Sequence, residues 1–281
     1  MSYSISSSRF HHLFLKQVLE KLSGFFKETN IEFYIIGATA REIIMSIHDE
    51  YGGRATLDLD IAISITNWDE FGRMETGIVK LKDFEKDPLQ KQRFIYRSAF
   101  KVDIIPFGKI KQEDDKIFWP PDESIAMSIL GFEEVQKATE IVRIDEHLEI
   151  EVASLDGMFL LKLFAWQDRN QLHNRDADDM AFIINNYLAI NQERASKEYY
   201  EQIFLEEEFN LRSAGAKLLG IDIAKIIGEN QRIKRKIEDI LNEQLSLEER
   251  SRLINQIIET NRSFTYEEAY DCIRSFLYGL G

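Results

Sequence analysis

Two different hydrophobic periods divide the chain. Up to about residue 190, apolar runs with the two-residue period of strands alternate with segments whose apolar residues recur every three to four positions, as in helices. The strands that this pattern predicts cover 31–36, 57–64, 93–96, 99–105, 141–144 and 148–152. The helices predicted among them cover 10–28, 39–47, 68–81, 155–168 and 176–188.

Beyond residue 190 the strand period disappears and no proline occurs. Helical patterns fill 196–207, 209–227, 230–242, 247–260 and 265–278. We therefore expect an α+β fold. A mixed sheet flanked by helices would form a first domain, residues 1–190, and an all-helical C-terminal domain would follow, residues 191–281.

One stretch of the first domain combines a small-residue turn with two acids. After the strand that ends at Ile36, the turn Gly37–Thr39 precedes a helix, and backbone N–H groups at a helix start suit a phosphate. On the next strand Asp58 and Asp60 share one face, with Cα atoms about 6.6 Å apart, so both carboxylates can hold one hard cation. Taken alone, the turn and the acid pair are also typical of an ordinary connection and of a solvent-facing strand.

Asp103 supplies a third acid on a later strand. It is flanked by Val102 and Ile104, and a carboxylate in such surroundings is costly unless it is paired, hydrated or bound to metal. An acid on the solvent face of a half-buried strand is the alternative. If Asp103 joins Asp58 and Asp60, the three carboxylates can hold two Mg²⁺ ions, an arrangement that serves in-line displacement at phosphorus.

Composition narrows the class of partner. The net charge of −14 argues against a broad electrostatic attraction to nucleic-acid backbones, although a bound metal can still attract a nucleotide. The basic run Arg232, Lys234, Arg235 and Lys236 can contact RNA, but such a run is more often a solvated helix face. With a single cysteine, no signal-peptide core and no apolar run of membrane-spanning length, we expect a soluble cytoplasmic protein without membrane partners.

The order of these features resembles the DNA-polymerase-beta-like nucleotidyltransferase superfamily. The matching elements are the turn Gly37-Ala38, the strand motif Asp58-X-Asp60 and the later strand acid Asp103. Ala38 departs from the usual Gly or Ser of that turn. It keeps the backbone N–H and lacks a hydroxyl, so its expected role is a backbone role.

Within that superfamily the chain resembles the AbiEii/AbiGii group, the toxin half of certain bacterial toxin–antitoxin and abortive-infection pairs. One matching block is the Gly-Ala-Thr-Ala-Arg turn that ends at Arg41, followed by Arg54-X-Thr56-X-Asp58-X-Asp60. The second block is Lys162-Leu163-X-Ala165-X-X-X-Arg169, followed by Arg175-Asp176-X-X-Asp179. The resemblance covers residues 30–190.

The second block places Lys162, Trp166 and Arg169 on one helix face. There the two cations can hold a triphosphate, and Trp166 or a nearby aromatic residue can border the base. The resemblance implies an NTP-binding set of Gly37, Ala38, Thr39, Arg41, Lys162, Arg169 and Asp179. Ordinary structural roles are open for each: Lys162 can extend along an apolar helix border and Arg169 can cap a helix end. Asp176 can be the N-terminal acid of the next helix.

These features together predict a metal-dependent nucleotidyltransferase that moves NMP from an NTP to an acceptor hydroxyl and releases pyrophosphate. Asp58, Asp60 and Asp103 would be the catalytic and metal-binding residues, and Asp103 would also assist deprotonation of the acceptor. The resemblance implies an RNA acceptor such as a tRNA end, or a protein hydroxyl, and a cognate antitoxin as partner. Two alternatives stay open: a small-molecule, aminoglycoside-like nucleotidyltransferase, and a catalytically silent module that binds a partner protein.

Overall fold

The computed structural model describes residues 2–53, 58–112, 115–123, 126–205 and 209–281. They form two compact units, Met1–Ser154 and Leu155–Gly281. Across the described residues, no helix combines the length and the apolar character that a transmembrane span requires.

The first unit is built on a mixed β-sheet. In chain order the strands are β1 Ser2–Ile5, β2 Phe33–Ile36, β3 Asp58–Ile65, β4 Phe84–Lys86, β5 Arg93–Tyr96, β6 Phe100–Gly108, β7 Lys116–Phe118, β8 Ala126–Ser128, β9 Glu140–Ile144 and β10 Leu148–Val152. Eight of them form one sheet in the order β1-β9-β10-β2-β3-β6-β5-β4, and β7 and β8 form a separate antiparallel pair. The mixed sheet of the predicted fold is thereby confirmed.

Helices α1 Leu15–Thr29, α2 Gly37–Ile47, α3 Trp68–Lys80 and α4 Phe132–Gln136 accompany the sheet. Helix α1 buries the stripe Leu15, Val18, Leu19, Leu22 and Phe26, which is the spacing of three to four residues that predicted it. The helix begins at Leu15, whereas the sequence predicted a start at Phe10. A 3₁₀ turn, Ser7–Arg9, and an irregular stretch precede it.

Strands β2, β3 and β6 form the centre of the sheet. Strand β3 pairs antiparallel with β2 and parallel with β6. Leu59, Ile61 and Ile63 are fully buried, whereas Asp58 and Asp60 on the alternate positions stay partly accessible. The alternation that predicted β3 therefore separates the core from an acid-bearing face.

Strand β6 runs through Pro106 to Gly108, although the sequence predicted an end at Ile105. Proline lacks a backbone N–H, so a strand tolerates it where no neighbouring strand needs a hydrogen bond from that position. Strand β5 pairs with Phe100–Asp103 only, and beyond that point the pairings of β6 in the described sheet are with β3. Pro106 therefore disturbs no strand pairing on the β5 side.

The second unit is entirely helical where the structure describes it. Its helices are α5 Leu155–Arg169, α6 Arg175–Glu198, α7 Tyr200–Phe204, α8 Leu211–Ile227, α9 Gln231–Ser246, α10 Arg252–Thr260 and α11 Tyr266–Leu280. The predicted domain boundary near residue 190 falls inside α6, and the division lies instead between Ser154 and Leu155. The reason is that α5 and α6 pack against each other and against α8.

Candidate functional site

The sheet brings the three predicted acids onto one face of two neighbouring strands. Asp58 and Asp60 lie at the start of β3, and Asp103 lies in β6 directly opposite Asp60. Residues opposite each other in a ladder point to the same face, so this pairing places the carboxylates side by side. Asp103 is buried, and Asp58 and Asp60 are partly accessible.

Gly37 makes room for the Asp60 carboxylate. It follows β2, whose last residue, Ile36, lies opposite Asp60. The φ angle of Gly37 is +71°, and a Cβ atom at this position would lie 2.2 Å from Oδ2 of Asp60. Any side chain would therefore displace the acid as well as strain the backbone. The start of α2, with its partial positive charge, consequently lies against Asp60.

Thr39 supports the site through the backbone of β3. Its hydroxyl donates to the carbonyl oxygen of Asp58 over 2.9 Å, and its side chain is buried. Ala38, next to it, is partly accessible. Helix α2 has no side-chain hydrogen bond at its N-cap, Ile36. The turn therefore offers backbone groups, as the sequence predicted for Ala38, and the Thr39 hydroxyl is used to fix the acid strand.

Arg41 has a different environment from the one that the sequence suggested. It is buried, and its Nε donates to the carbonyl oxygen of Gly52 over 2.9 Å. It therefore holds the loop that follows α2. Arg54 and Thr56, which completed the first motif, lie outside the described residues.

Arg93, to which the sequence analysis assigns no role, contacts one of the three acids. Its Nε and Nη2 atoms donate to Oδ1 and Oδ2 of Asp103, both over 2.7 Å. The hydrogen bond to Asp103 raises the pKa of Arg93; burial opposes this, and the charges of Asp103 and Asp58 reinforce it. The hairpin register, which sets Arg93 opposite Asp103, is the signal that could have identified this pair.

The donor set suits a hard cation, because carboxylate oxygens are the ligands that Mg²⁺ prefers. Asp58 and Asp60 would hold such an ion, with Asp103 beside them. Within the described part of the chain, however, no group of three or more His, Cys, Asp or Glu is placed so that together they could hold a metal ion. Both carboxylate oxygens of Asp103 are engaged by Arg93.

The second motif forms an ion cluster between α5 and α6. Lys162 Nζ lies 2.6 Å from Asp179 Oδ2 and 3.1 Å from Asp176 Oδ1. Arg169 donates through Nε to Asp176 Oδ2 over 2.7 Å and through Nη2 to Oδ1 over 2.8 Å. Asp176 and Asp179 are 1% and 5% exposed. The spacing from Lys162 to Arg169 therefore brings both cations to one acid.

Charge pairing decides the ionisation of this cluster. Burial by itself lowers the pKa of Lys162, but the charges of Asp179 and Asp176 outweigh it and raise that pKa. Burial by itself raises the pKa of Asp176, but Arg169 and Lys162 outweigh it and lower that pKa. Both groups are therefore charged at neutral pH.

Trp166 does not border an open site in this unit. Its side chain is 1% exposed, and its indole N–H donates to Oε1 of Gln256 in α10 over 2.8 Å. Of the two predicted possibilities, Trp166 or a nearby aromatic residue at the base, the structure disfavours Trp166, because its ring is buried in helix packing. The basic run of α9 lies on a largely exposed helix face, with Ile233 and Ile237 buried on the other side.

Comparison with known proteins gives structural relatives and one family. The structure is similar to an antigenic nucleotidyltransferase-like protein from Paracoccidioides brasiliensis, with a TM-score of 0.40 and 15% identity, covering 70% of this chain and 92% of that one. No curated protein matches the chain.

A family model, "Nucleotidyl transferase AbiEii toxin, Type IV TA system", matches residues 24–266. The match includes the turn, the three acids and the Lys162 cluster. It also extends past residue 190, where the sequence motifs ended, into the helical unit. The chain therefore belongs to the AbiEii nucleotidyltransferase toxin family of type IV toxin–antitoxin systems.

Proposed function

We propose that this transferase moves NMP from an NTP to an acceptor hydroxyl in a Mg²⁺-dependent reaction. The observation that carries the proposal is the placement of Asp58, Asp60 and Asp103 on one face of β3 and β6, against the glycine turn at Gly37. Family membership supplies the reaction class. The geometry supplies the residues that we assign to it.

In the proposed reaction the acceptor oxygen attacks the α-phosphorus of the NTP. A bond forms between that oxygen and phosphorus, and the bond from phosphorus to the oxygen bridging the β-phosphate breaks. Asp58 and Asp60 bind the divalent cation, which neutralises charge on the phosphates when it is present. Asp103 accepts the proton of the acceptor hydroxyl, and pyrophosphate leaves with the electron pair of the broken bond.

We assign phosphate binding to two groups of residues. The backbone N–H groups of Gly37, Ala38 and Thr39 lie at the start of α2, a position suited to anions. Lys162 and Arg169 provide positive charge in the second motif, and Asp179 orients Lys162 through its ion pair. Arg41 stays in the phosphate-binding set that the resemblance implies, and its Nε also donates to the carbonyl oxygen of Gly52, which supports that loop.

The acceptor that we propose is an RNA end, such as that of a tRNA, and the toxin–antitoxin family implies a cognate antitoxin. The net charge of −14 favours a second candidate, a small cationic acceptor of the aminoglycoside kind, because an acidic protein repels RNA phosphates and attracts cations.

The test is label transfer. Purified protein and Mg²⁺ are incubated with each [α-³²P]NTP and total tRNA, or with an aminoglycoside in place of the tRNA. We expect wild type to label RNA and Asp58→Ala to label nothing. Glu28→Ala removes an exposed acid from α1 and serves as the control that keeps wild-type activity. Equal transfer by Asp58→Ala would overturn the assignment, and label on the aminoglycoside alone would select the second candidate.

A further inference from the structure

Arg93 and Asp103 form a bidentate ion pair. Two nitrogens of one guanidinium meet two oxygens of one carboxylate, each over 2.7 Å. The side chains are 21% and 11% exposed, so water screens the pair only weakly. Bidentate pairs of this kind are among the stronger charge-assisted hydrogen bonds in proteins.

The pair lies in line with the acid site. Arg93 in β5 is opposite Asp103 in β6, and Asp103 is opposite Asp60 in β3. Asp58 also acts electrostatically on Arg93. One guanidinium therefore offsets repulsion among carboxylates that lie on the same face.

A guanidinium and a divalent cation are both attracted to the Asp103 carboxylate, and Arg93 already contacts each of its two oxygens. Arginine cannot lose its proton in a protein, so no change of pH in the physiological range frees the carboxylate. Only a competing cation, or a new anionic partner for Arg93, can do so. The ordinary explanation of the contact is a buried ion pair that stabilises the hairpin, and that explanation predicts no effect on cation affinity.

We propose that Arg93 is a built-in counterion of the acid site: it holds Asp103 while no cation is bound, and it competes with a divalent cation for that carboxylate. This inference rests on the proposed function, which places the cation at these acids. Arg93 is thus a positioning residue, which acts on the reaction through Asp103. A cation that recruits Asp103 as a ligand beside Asp58 and Asp60 therefore competes with the positive charge and the two hydrogen bonds of Arg93.

Mn²⁺ binding, followed by electron paramagnetic resonance without nucleotide, tests the proposal. We expect Arg93→Gln to bind Mn²⁺ about tenfold more tightly than wild type, because a positive charge next to the site is removed and Asp103 is released. Arg93→Lys keeps the positive charge but cannot form the contact of two nitrogens with two oxygens. Its affinity for Mn²⁺ should therefore lie between those of wild type and Arg93→Gln. Arg97→Gln is the matched control on the same hairpin, since Arg97 pairs with Asp83 and not with a site acid.

Thermal unfolding provides a second measurement that does not depend on activity. Arg93→Gln leaves Asp103 without its partner and should unfold at a lower temperature than wild type. Saturating Mn²⁺ should then raise the unfolding temperature of Arg93→Gln more than that of wild type, because tighter binding to the folded state gives greater stabilisation.

Two outcomes are decisive. If Arg93→Gln binds Mn²⁺ no more tightly than wild type, the counterion role is wrong, even where neither protein binds the ion. Asp58→Asn separates this failure from that of the proposed function. If Asp58→Asn keeps wild-type Mn²⁺ affinity, the cation site itself is wrongly placed; if it loses affinity while Arg93→Gln gains none, only the counterion inference fails.

Discussion

At the scale of single residues, the candidate site depends on a glycine as much as on its acids. Gly37 combines a φ of +71° with contact against the Asp60 carboxylate, so backbone conformation and side-chain space both select glycine. Ala38, in contrast, has no hydroxyl and is partly accessible, so the phosphate-binding role that we propose for it depends on its backbone N–H group. The Asp60 carboxylate can therefore occupy its observed position only because residue 37 has no side chain.

Gly37→Ala should lower both stability and activity. The left-handed backbone costs about 1–2 kcal/mol for a residue with a Cβ atom, and the new methyl group pushes the Asp60 carboxylate aside. We expect nucleotidyl transfer to fall about 10- to 100-fold, because small misplacements of a reacting group are costly. Urea unfolding and label transfer measure the two effects.

Gly24→Ala is the control for that change. Gly24 lies inside α1, and a Cβ atom there would meet nothing within 4 Å. Alanine should stabilise this helix by about 0.5–1 kcal/mol and leave transfer unchanged. Equal effects of the two substitutions would show that Gly37 has no special relation to Asp60.

At the scale of elements, α5 and α6 are joined by an ionic cluster. Asp176 is buried at the start of α6 and receives hydrogen bonds from both Lys162 and Arg169 of α5. Removing one partner of a buried ion pair leaves an uncompensated charge, which costs more than the pair contributes. The second motif therefore has a structural role in addition to the phosphate-binding role that we propose for Lys162.

The cluster predicts a pH dependence of stability. The pKa of Asp176 lies below its ordinary value of 3.8 in the folded protein, so its stabilising contribution is present above that pH and is lost as pH falls through the folded pKa. Asp176→Asn should cost about 3–5 kcal/mol of unfolding free energy at pH 7. That penalty should shrink as the pH is lowered below 3.8. Urea unfolding of both proteins from pH 7 to pH 2.5 measures it, and a penalty that stays constant over this range would contradict the pairing.

Helices α8 and α11 approach each other through two glycines. Cβ atoms at Gly220 and Gly279 would lie 2.1 Å from the carbonyl oxygen of Phe276 and 2.0 Å from that of Lys217. Both clashes are with backbone, so no side chain can move to relieve them. The observed contact between α8 and α11 therefore requires glycine at both positions.

Gly220→Ala should consequently destabilise the protein by about 1–3 kcal/mol, the usual cost of overpacking, despite the better helix propensity of alanine. Gly72→Ala in α3 is the control, because a Cβ atom there would meet nothing within 4 Å. We expect that substitution to be neutral or to stabilise by up to about 1 kcal/mol. A stabilising Gly220→Ala, measured by urea unfolding, would contradict the helix contact.

The elements that the sequence predicted well are those with a strong local signal. Strand β3 alternates cleanly, and β2 ends at a glycine turn. Strand β1 was missed because its residues, Ser2–Ile5, are mostly polar and are ordered by parallel pairing with β9. Strands β4, β7 and β8 are three residues long, too short for a period to appear.

The same limit applies within the site. The shared face of Asp58 and Asp60 could be predicted because their spacing along one strand fixes it. The positions of Asp103 beside Asp60 and of Arg93 beside Asp103 depend on the register between strands, which the hydrophobic pattern alone does not set. Arg41 and Trp166 were placed by motif and helix face, but the packing of α2 and α5 sets which way those side chains lie.

At the scale of the whole molecule, the family match covers parts of both the sheet unit and the helical unit, because it runs from residue 24 to residue 266. The sheet unit contains the acids and the helical unit contains the Lys162 cluster. The acidic net charge of −14 means that binding of any RNA acceptor should depend on cations more than on a basic surface.

The most direct test of the central claim is to ask which phosphorus of the nucleotide reaches the acceptor. Protein, Mg²⁺ and tRNA are incubated in parallel with [α-³²P]NTP and [γ-³²P]NTP, and the RNA and the released phosphates are separated. We expect α-label on the RNA, γ-label in pyrophosphate, and loss of both signals in Asp60→Asn but not in Glu28→Gln. Label from the γ-phosphate on the RNA, or undiminished transfer by Asp60→Asn, would contradict nucleotidyl transfer at these acids.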